Sequence, residues 1–62
     1  MQLLLNLKAV REKRALSQVE LAQRTGIDQR AVSELERGLR AAQRRTQRKL
    51  ARALNVNPAA LA

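Results

Sequence analysis

Residues 16–38 read LSQVELAQRTGIDQRAVSELERG. Ser17 followed three residues later by Glu20 is a capping box. The Ser hydroxyl can accept from the backbone N–H of Glu20, and the Glu carboxylate can accept from that of Ser17. Leu16 before the cap and Leu21 after it suit the hydrophobic staple that fixes how a chain enters a helix. The helix then stops early, at Gly26, because glycine takes the left-handed conformation that turns the chain without a steric cost. Only Ile27 separates this stop from Asp28, a good N-cap for a second helix and a negative charge at that helix's positive end. Two short helices joined by a tight turn containing Gly form the helix-turn-helix pattern. Inside it, Leu21, Ala22, Thr25, Ile27, Val32 and Leu35 are expected to face inward. Ala22 falls where a large side chain would push the two helices apart, and Ile27 plugs the corner. A plain helical hairpin in a small bundle would need an apolar stripe, but not a small residue and a glycine at these offsets.

Working outward, helical period dominates and no segment alternates with period two over strand length. Leu3, Leu7 and Val10 form a stripe at i, i+4, i+7, which predicts a first helix running to about Arg14. Leu4 and Leu5 fall off that stripe, with Leu5 nearly opposite it. Val32, Leu35 and Leu39 mark the buried side of the third helix, which Gly38 ends. A fourth helix is expected over Ala42–Leu54, stopped by Asn55, the second-best residue for a left-handed stop. Asn57-Pro58 reads as an N-cap with a first-turn proline, opening a one-turn fifth helix over 58–61. The expected fold class is therefore all-α: a compact five-helix bundle, with residues 1–62 as one domain.

Composition narrows the chemistry. The chain has no Cys, His, Phe, Tyr or Trp. That removes disulfides and thiolate ligands, the usual metal ligand and neutral-pH general base, and the aromatic platforms used on single-stranded nucleic acid. No carboxylate pair is placed for catalysis, so an enzyme is not expected, nor is a cofactor or metal. The N-terminal MQLLLNLK lacks the charged lead and cleavage site of a secretory signal, and no apolar run approaches the ~20 residues of a membrane span. A cytoplasmic protein is expected.

Charge is the strongest global signal, at 13 basic residues against 5 acidic ones for a net +8. Its distribution matters more than its sum. Residues 1–36 are nearly balanced, with 6 basic and 5 acidic residues, whereas residues 37–52 carry 7 basic residues and no acid. Such a block reads as a footprint for a polyanion, or more simply as charge that keeps a small protein dispersed. At its centre lies AQRRTQRK (42–49), which by itself suits a disordered basic arm, the wet face of a helix, or a surface that holds an anion. At helical spacing Arg44, Arg45, Arg48, Lys49 and Arg52 fall within an arc of about 140°, opposite Gln43, Thr46, Gln47, Leu50, Ala53 and Leu54. A disordered arm has no reason to sort its charges this way. A membrane-surface helix would, but its apolar face would here be half Gln and Thr, with no aromatic anchor.

The stretch 16–38 resembles the helix-turn-helix of the lambdoid-phage Cro and repressor DNA-binding domains, the Xre family. The likeness extends to LKAVREKR (7–14) and KLARALNVNPAAL (49–61), so it covers nearly the whole chain. It implies a lambda-repressor-like fold whose third helix, about 28–37, enters the major groove of double-stranded DNA. Carried over residue by residue, the base readers would be Gln29, Arg30, Ser33 and Glu34. Gln29 suits adenine, Arg30 the N7 and O6 of guanine, and Glu34 the amino group of cytosine. Glu34 also lies where it could simply pair with Arg30 or Arg37 on the helix surface. The resemblance gives Gln18 a phosphate contact and a brace on Gln29, with a solvated surface Gln as the plain alternative. It makes Arg11 and Glu36 a buried ion pair tying helix one to the end of helix three. Arg37, Arg40, Arg44, Arg45 and Arg48 would contact phosphates, while Lys49 and Arg52 stay solvated. Gln47 departs from the family, which has an apolar residue near that position, and the loop after Gly38 looks slightly longer or more helical.

The function so implied is a sequence-specific transcriptional regulator of prokaryotic or phage type, a repressor by expectation. It would bind a two-fold operator as a homodimer in the cytoplasm, at the nucleoid. The dimer would form through 58–61 and its adjoining loop, or through Leu4 and Leu5. Two other classes fit the same residues. An antitoxin would autoregulate its operon and bind a toxin partner, although no tail follows residue 62 to wrap one. A nucleoid-type binder would grip any duplex alike.

Overall fold

A computed structural model describes all 62 residues. Four α-helices follow in order: α1 (Leu7–Lys13), α2 (Gln18–Thr25), α3 (Gln29–Glu36) and α4 (Arg44–Leu54). A 3₁₀ turn, Pro58–Leu61, takes the place of a fifth α-helix. With four residues it closes only i→i+3 bonds, such as Ala60 N–H to the Asn57 carbonyl at 2.9 Å. Helices this short are not stable alone, since isolated helices need roughly 12–15 residues. Caps and a shared core hold them instead.

The core is wholly aliphatic. Leu4, Leu7, Leu21, Val32, Leu35, Leu50, Leu54 and Leu61 are its largest fully buried side chains. Ala22 and Ile27 pack against its edge, at the inner corner between α2 and α3. The α2 helix lies against both α3 and α4, α1 lies against α3, and the 3₁₀ turn packs on α4 and α1.

Local chemistry sets most of the helix ends. Ser17 Oγ accepts from Glu20 N–H at 3.0 Å, and Glu20 Oε1 accepts from Ser17 N–H at 2.8 Å, completing the capping box. Gly26, at φ 73°, ends α2, and Asn55, at φ 57°, ends α4. At Gly38 the N–H groups of Gly38 and Leu39 return to the carbonyls of Leu35 and Glu34. That pair of bonds is a Schellman stop. The same pair closes α1, from Ala15 to Glu12 and from Leu16 to Arg11. The left-handed residue there is Ala15, at φ 57°, where neither Gly nor Asn signals the stop.

The structure corrects the periodic reading in four places. First, residues 1–6 are not the start of α1. Gln2 and Ala42 exchange both backbone hydrogen bonds, at 2.9 and 2.8 Å, in an isolated antiparallel bridge. The arm then turns at Leu5 and Asn6 into α1. Leu4 is fully buried, whereas Leu3 and Leu5 are 44% and 67% exposed. Second, Ala42 is held by that bridge and Gln43 is extended, so α4 begins only at Arg44. Third, the reversal at Gly38 carries Leu39 off the inner side of α3 and leaves it 66% exposed. Fourth, Leu4 and Leu61 lie in the domain's own core and offer nothing to a second copy.

The polar start of α4 also finds its packing. Gln47 is buried and its Nε2 donates to the Pro58 carbonyl at 2.8 Å, fastening α4 to the C-terminal turn. An apolar residue would fill the same space but lose that bond between α4 and the turn.

Candidate nucleic-acid interface

The turn between α2 and α3 sets how α3 is presented. Thr25 Oγ1 donates to the Leu21 carbonyl at 2.8 Å and accepts from Ile27 N–H at 3.2 Å. One side chain thus closes the last turn of α2 and fixes the first residue after Gly26. Asp28 Oδ1 then accepts from Arg30 N–H at 3.3 Å, capping α3. Val32 and Leu35 bury the inner stripe of α3. On the other side Gln29 and Arg30 are exposed and Ser33 is half-buried. At spacings of three and four residues, Gln29, Arg30 and Ser33 share one surface strip.

Behind this strip α3 is tied to α1. Arg11 Nε donates to Glu36 Oε2 at 2.5 Å, Nη2 donates to Oε1 at 3.1 Å, and Nη1 donates to the Leu16 carbonyl at 2.8 Å. The two side chains are only 10% and 2% exposed. The bond to Glu36 raises the Arg11 pKa further, against the opposing effect of burial. Gln18 joins the same cluster, its Nε2 donating to Glu36 Oε1 at 2.9 Å. Its amide nitrogen therefore braces the foot of α3 at Glu36, not at Gln29. No buried side-chain nitrogen or oxygen in the protein lacks a hydrogen-bond partner.

Glu34 pairs with two arginines. Its carboxylate lies 3.0 Å from Arg40 Nη2 and 3.8 Å from Arg30 Nε. Arg37, a partner expected from spacing alone, forms no ion pair with it. The chain reverses at Gly38 and brings Arg40 back over α3, so the loop supplies the closer cation.

The other cations of residues 37–52 line the flank. Arg37, Arg44, Arg45, Arg48, Lys49 and Arg52 are all exposed. None has a carboxylate within ion-pair distance, in keeping with the absence of acid after Glu36. Arg45, Arg48, Lys49 and Arg52 border one shallow hollow, so the basic arc of α4 is a continuous surface. The largest concavity, of about 470 Å³, lies between α3 and the start of α4. Ile27, Ala31, Leu35 and Ala42 contribute to its walls, and Arg40 is its single charged side chain. No helix is long and apolar enough to cross a membrane.

Comparison with known families gives one result: the model of a family described as helix-turn-helix matches residues 7–61. Comparison with curated proteins and with solved structures gives no match.

Proposed function

Since the chain belongs to the helix-turn-helix family of Xre, lambda-repressor and Cro-like domains, a DNA-binding, regulatory and non-enzymatic group, we propose that it is a sequence-specific transcriptional repressor. In this reading α3 enters the major groove and its outer strip meets base edges. Gln29 pairs with adenine and Arg30 with guanine, Ser33 accepts either kind of neighbour, and Glu34 takes the amino group of cytosine. Gln18 sits at the N-terminus of α2, where open N–H groups suit a phosphate. Arg37, Arg40, Arg44, Arg45 and Arg48 hold the flanking phosphates, which position the domain without specifying sequence.

One observation carries this reading. The α3 helix is capped at its Gln29–Arg30 end, held from behind by Val32 and Leu35 and at its foot by the Arg11–Glu36 pair, and leaves Gln29 and Arg30 exposed in front. A surface that only grips phosphate needs no helix held so firmly with its polar side chains free. Two copies on half-sites about one helical turn apart, roughly 34 Å, would read a two-fold operator. Leu5 and Leu39 are both exposed, Leu39 following Gly38 in the chain and Leu5 Cδ2 lying 3.4 Å from where a Cβ at Gly38 would lie. They form the apolar surface on which the second copy docks, with DNA in the cytoplasm as the shared ligand.

Selection of binding sites from random duplex DNA tests this function. The repressor reading expects one enriched motif with two-fold symmetry. Equal recovery of all sequences would instead assign the domain to non-specific DNA packaging.

A further inference from the structure

Resting on that DNA-reading function, we propose that Glu34 is its specificity-determining residue. It holds Arg40 in the free domain and releases it to a phosphate only where a base offers the carboxylate a hydrogen-bond donor.

The five acids of the chain are Glu12, Glu20, Asp28, Glu34 and Glu36. Glu12 lies on α1, Glu20 serves the capping box, Asp28 caps α3, and Glu36 is buried against Arg11 and Gln18. Glu34 has no such role in the fold. It lies on the DNA-reading helix, 24% exposed, between Arg30 and Arg40, which are 86% and 52% exposed. A carboxylate in this position is repelled by any duplex. It also occupies, at 3.0 Å, the guanidinium that the loop presents for phosphate. Glu34 is thus an internal stand-in for the phosphate that Arg40 would otherwise hold.

The energetics then depend on the base opposite. On a random duplex, moving Arg40 to a phosphate leaves the carboxylate beside a polyanion with only the longer 3.8 Å contact to Arg30, so the Arg40 pair stays closed and Arg40 contributes nothing. On the right sequence an exocyclic amino group, such as N4 of cytosine, replaces Arg40 at the carboxylate. Arg40 is then free to neutralise a phosphate. A base contact and a backbone contact form together or not at all, so Glu34 acts chiefly by weakening binding to wrong sequences.

The test compares wild type with Glu34→Gln and Arg40→Gln on two duplexes, the motif enriched by wild type and a random sequence, across a salt series. Glu34→Gln should bind the random duplex roughly tenfold tighter at low salt, with a slope of log affinity against log salt steeper by about 0.9. Its preference for the enriched motif should fall by at least that factor. Arg40→Gln should weaken binding to the enriched motif more than to the random duplex. The double variant should lose less preference than the two single losses combined, as expected for coupled residues. If Glu34→Gln tightened both duplexes equally, or left random-duplex affinity and slope unchanged, the exchange would be disproved while DNA reading stood. If wild type enriched no motif, the DNA-reading function itself would fail. Thermal melts of both variants, one changed at half-buried Glu34 and the other at exposed Arg40, separate these outcomes from loss of fold.

Discussion

Glu36 holds Arg11 with both carboxylate oxygens, and Gln18 donates to one of those same oxygens. Residues 25 apart in sequence thereby lock α1 to the foot of α3. A buried pair adds little net stability over an apolar one, but removing one partner strands the other, at a cost of about 3–5 kcal/mol. A chain of this size has a total stability of roughly 3–9 kcal/mol. Glu36→Ala should therefore be largely unfolded or melt far lower by circular dichroism. The double variant Arg11→Met, Glu36→Met should recover most of that loss. An unchanged melt for Glu36→Ala would contradict the buried pairing.

Ala15 sets up a change in the opposite direction. Its left-handed backbone, at φ 57°, costs an L-residue roughly 1–2 kcal/mol, which glycine avoids. Glycine returns part of this by its greater freedom in the unfolded chain. Ala15→Gly should thus stabilise the domain by about 0.5–1 kcal/mol, raising Tm by roughly 4 °C. A lower Tm would mean that the α1 stop is not left-handed in solution.

The capping box makes stability depend on pH. Hydrogen bonds from the Ser17 backbone and then its side chain hold the Glu20 carboxyl below its ordinary pKa. A folded-state pKa lower than the unfolded one stabilises the fold above the unfolded value. That contribution disappears as pH falls from the ordinary carboxylate range, about 4.3, through the lowered one. In urea titrations wild type should exceed Glu20→Gln in stability at pH 6, with the gap closing below pH ~4. A gap independent of pH would rule out the charged cap.

The basic flank of α4 should act on all sequences alike. Arg44 and Arg45 are exposed and unpaired at its first turn. Replacing both with Ala should weaken binding to enriched and random duplexes equally and reduce the salt slope by about 1.8. An altered sequence preference would place these arginines at bases instead of phosphates.

How much of this was legible in the sequence follows from the range of the interactions. Ser17, Glu20, Gly26 and Asp28 act on backbone groups two to four residues away, so the α2–turn–α3 unit could be read directly. The basic arc of α4 was legible for the same reason, since helical geometry alone sorts it. The start of α1 was not, because a run of three leucines suits more than one inward face and the choice rests on Gln2 meeting Ala42, 40 residues away. Ala15 gives no sign of a left-handed stop, because alanine rarely adopts one. In the candidate site, Arg11 and Glu36 were paired only by resemblance to the family. The link from Arg40 to Glu34 needed the chain reversal at Gly38, and Gln47 needed the position of the C-terminal turn.

The central claim is that the outer strip of α3 reads bases, and site selection with single variants tests it most directly. Wild type should enrich one two-fold motif containing guanine. Arg30→Ala should lose the guanine preference at one position in each half-site, worth about 1–3 kcal/mol, and keep the rest. An Arg30→Ala motif identical to that of wild type, or no motif from wild type, would contradict the account.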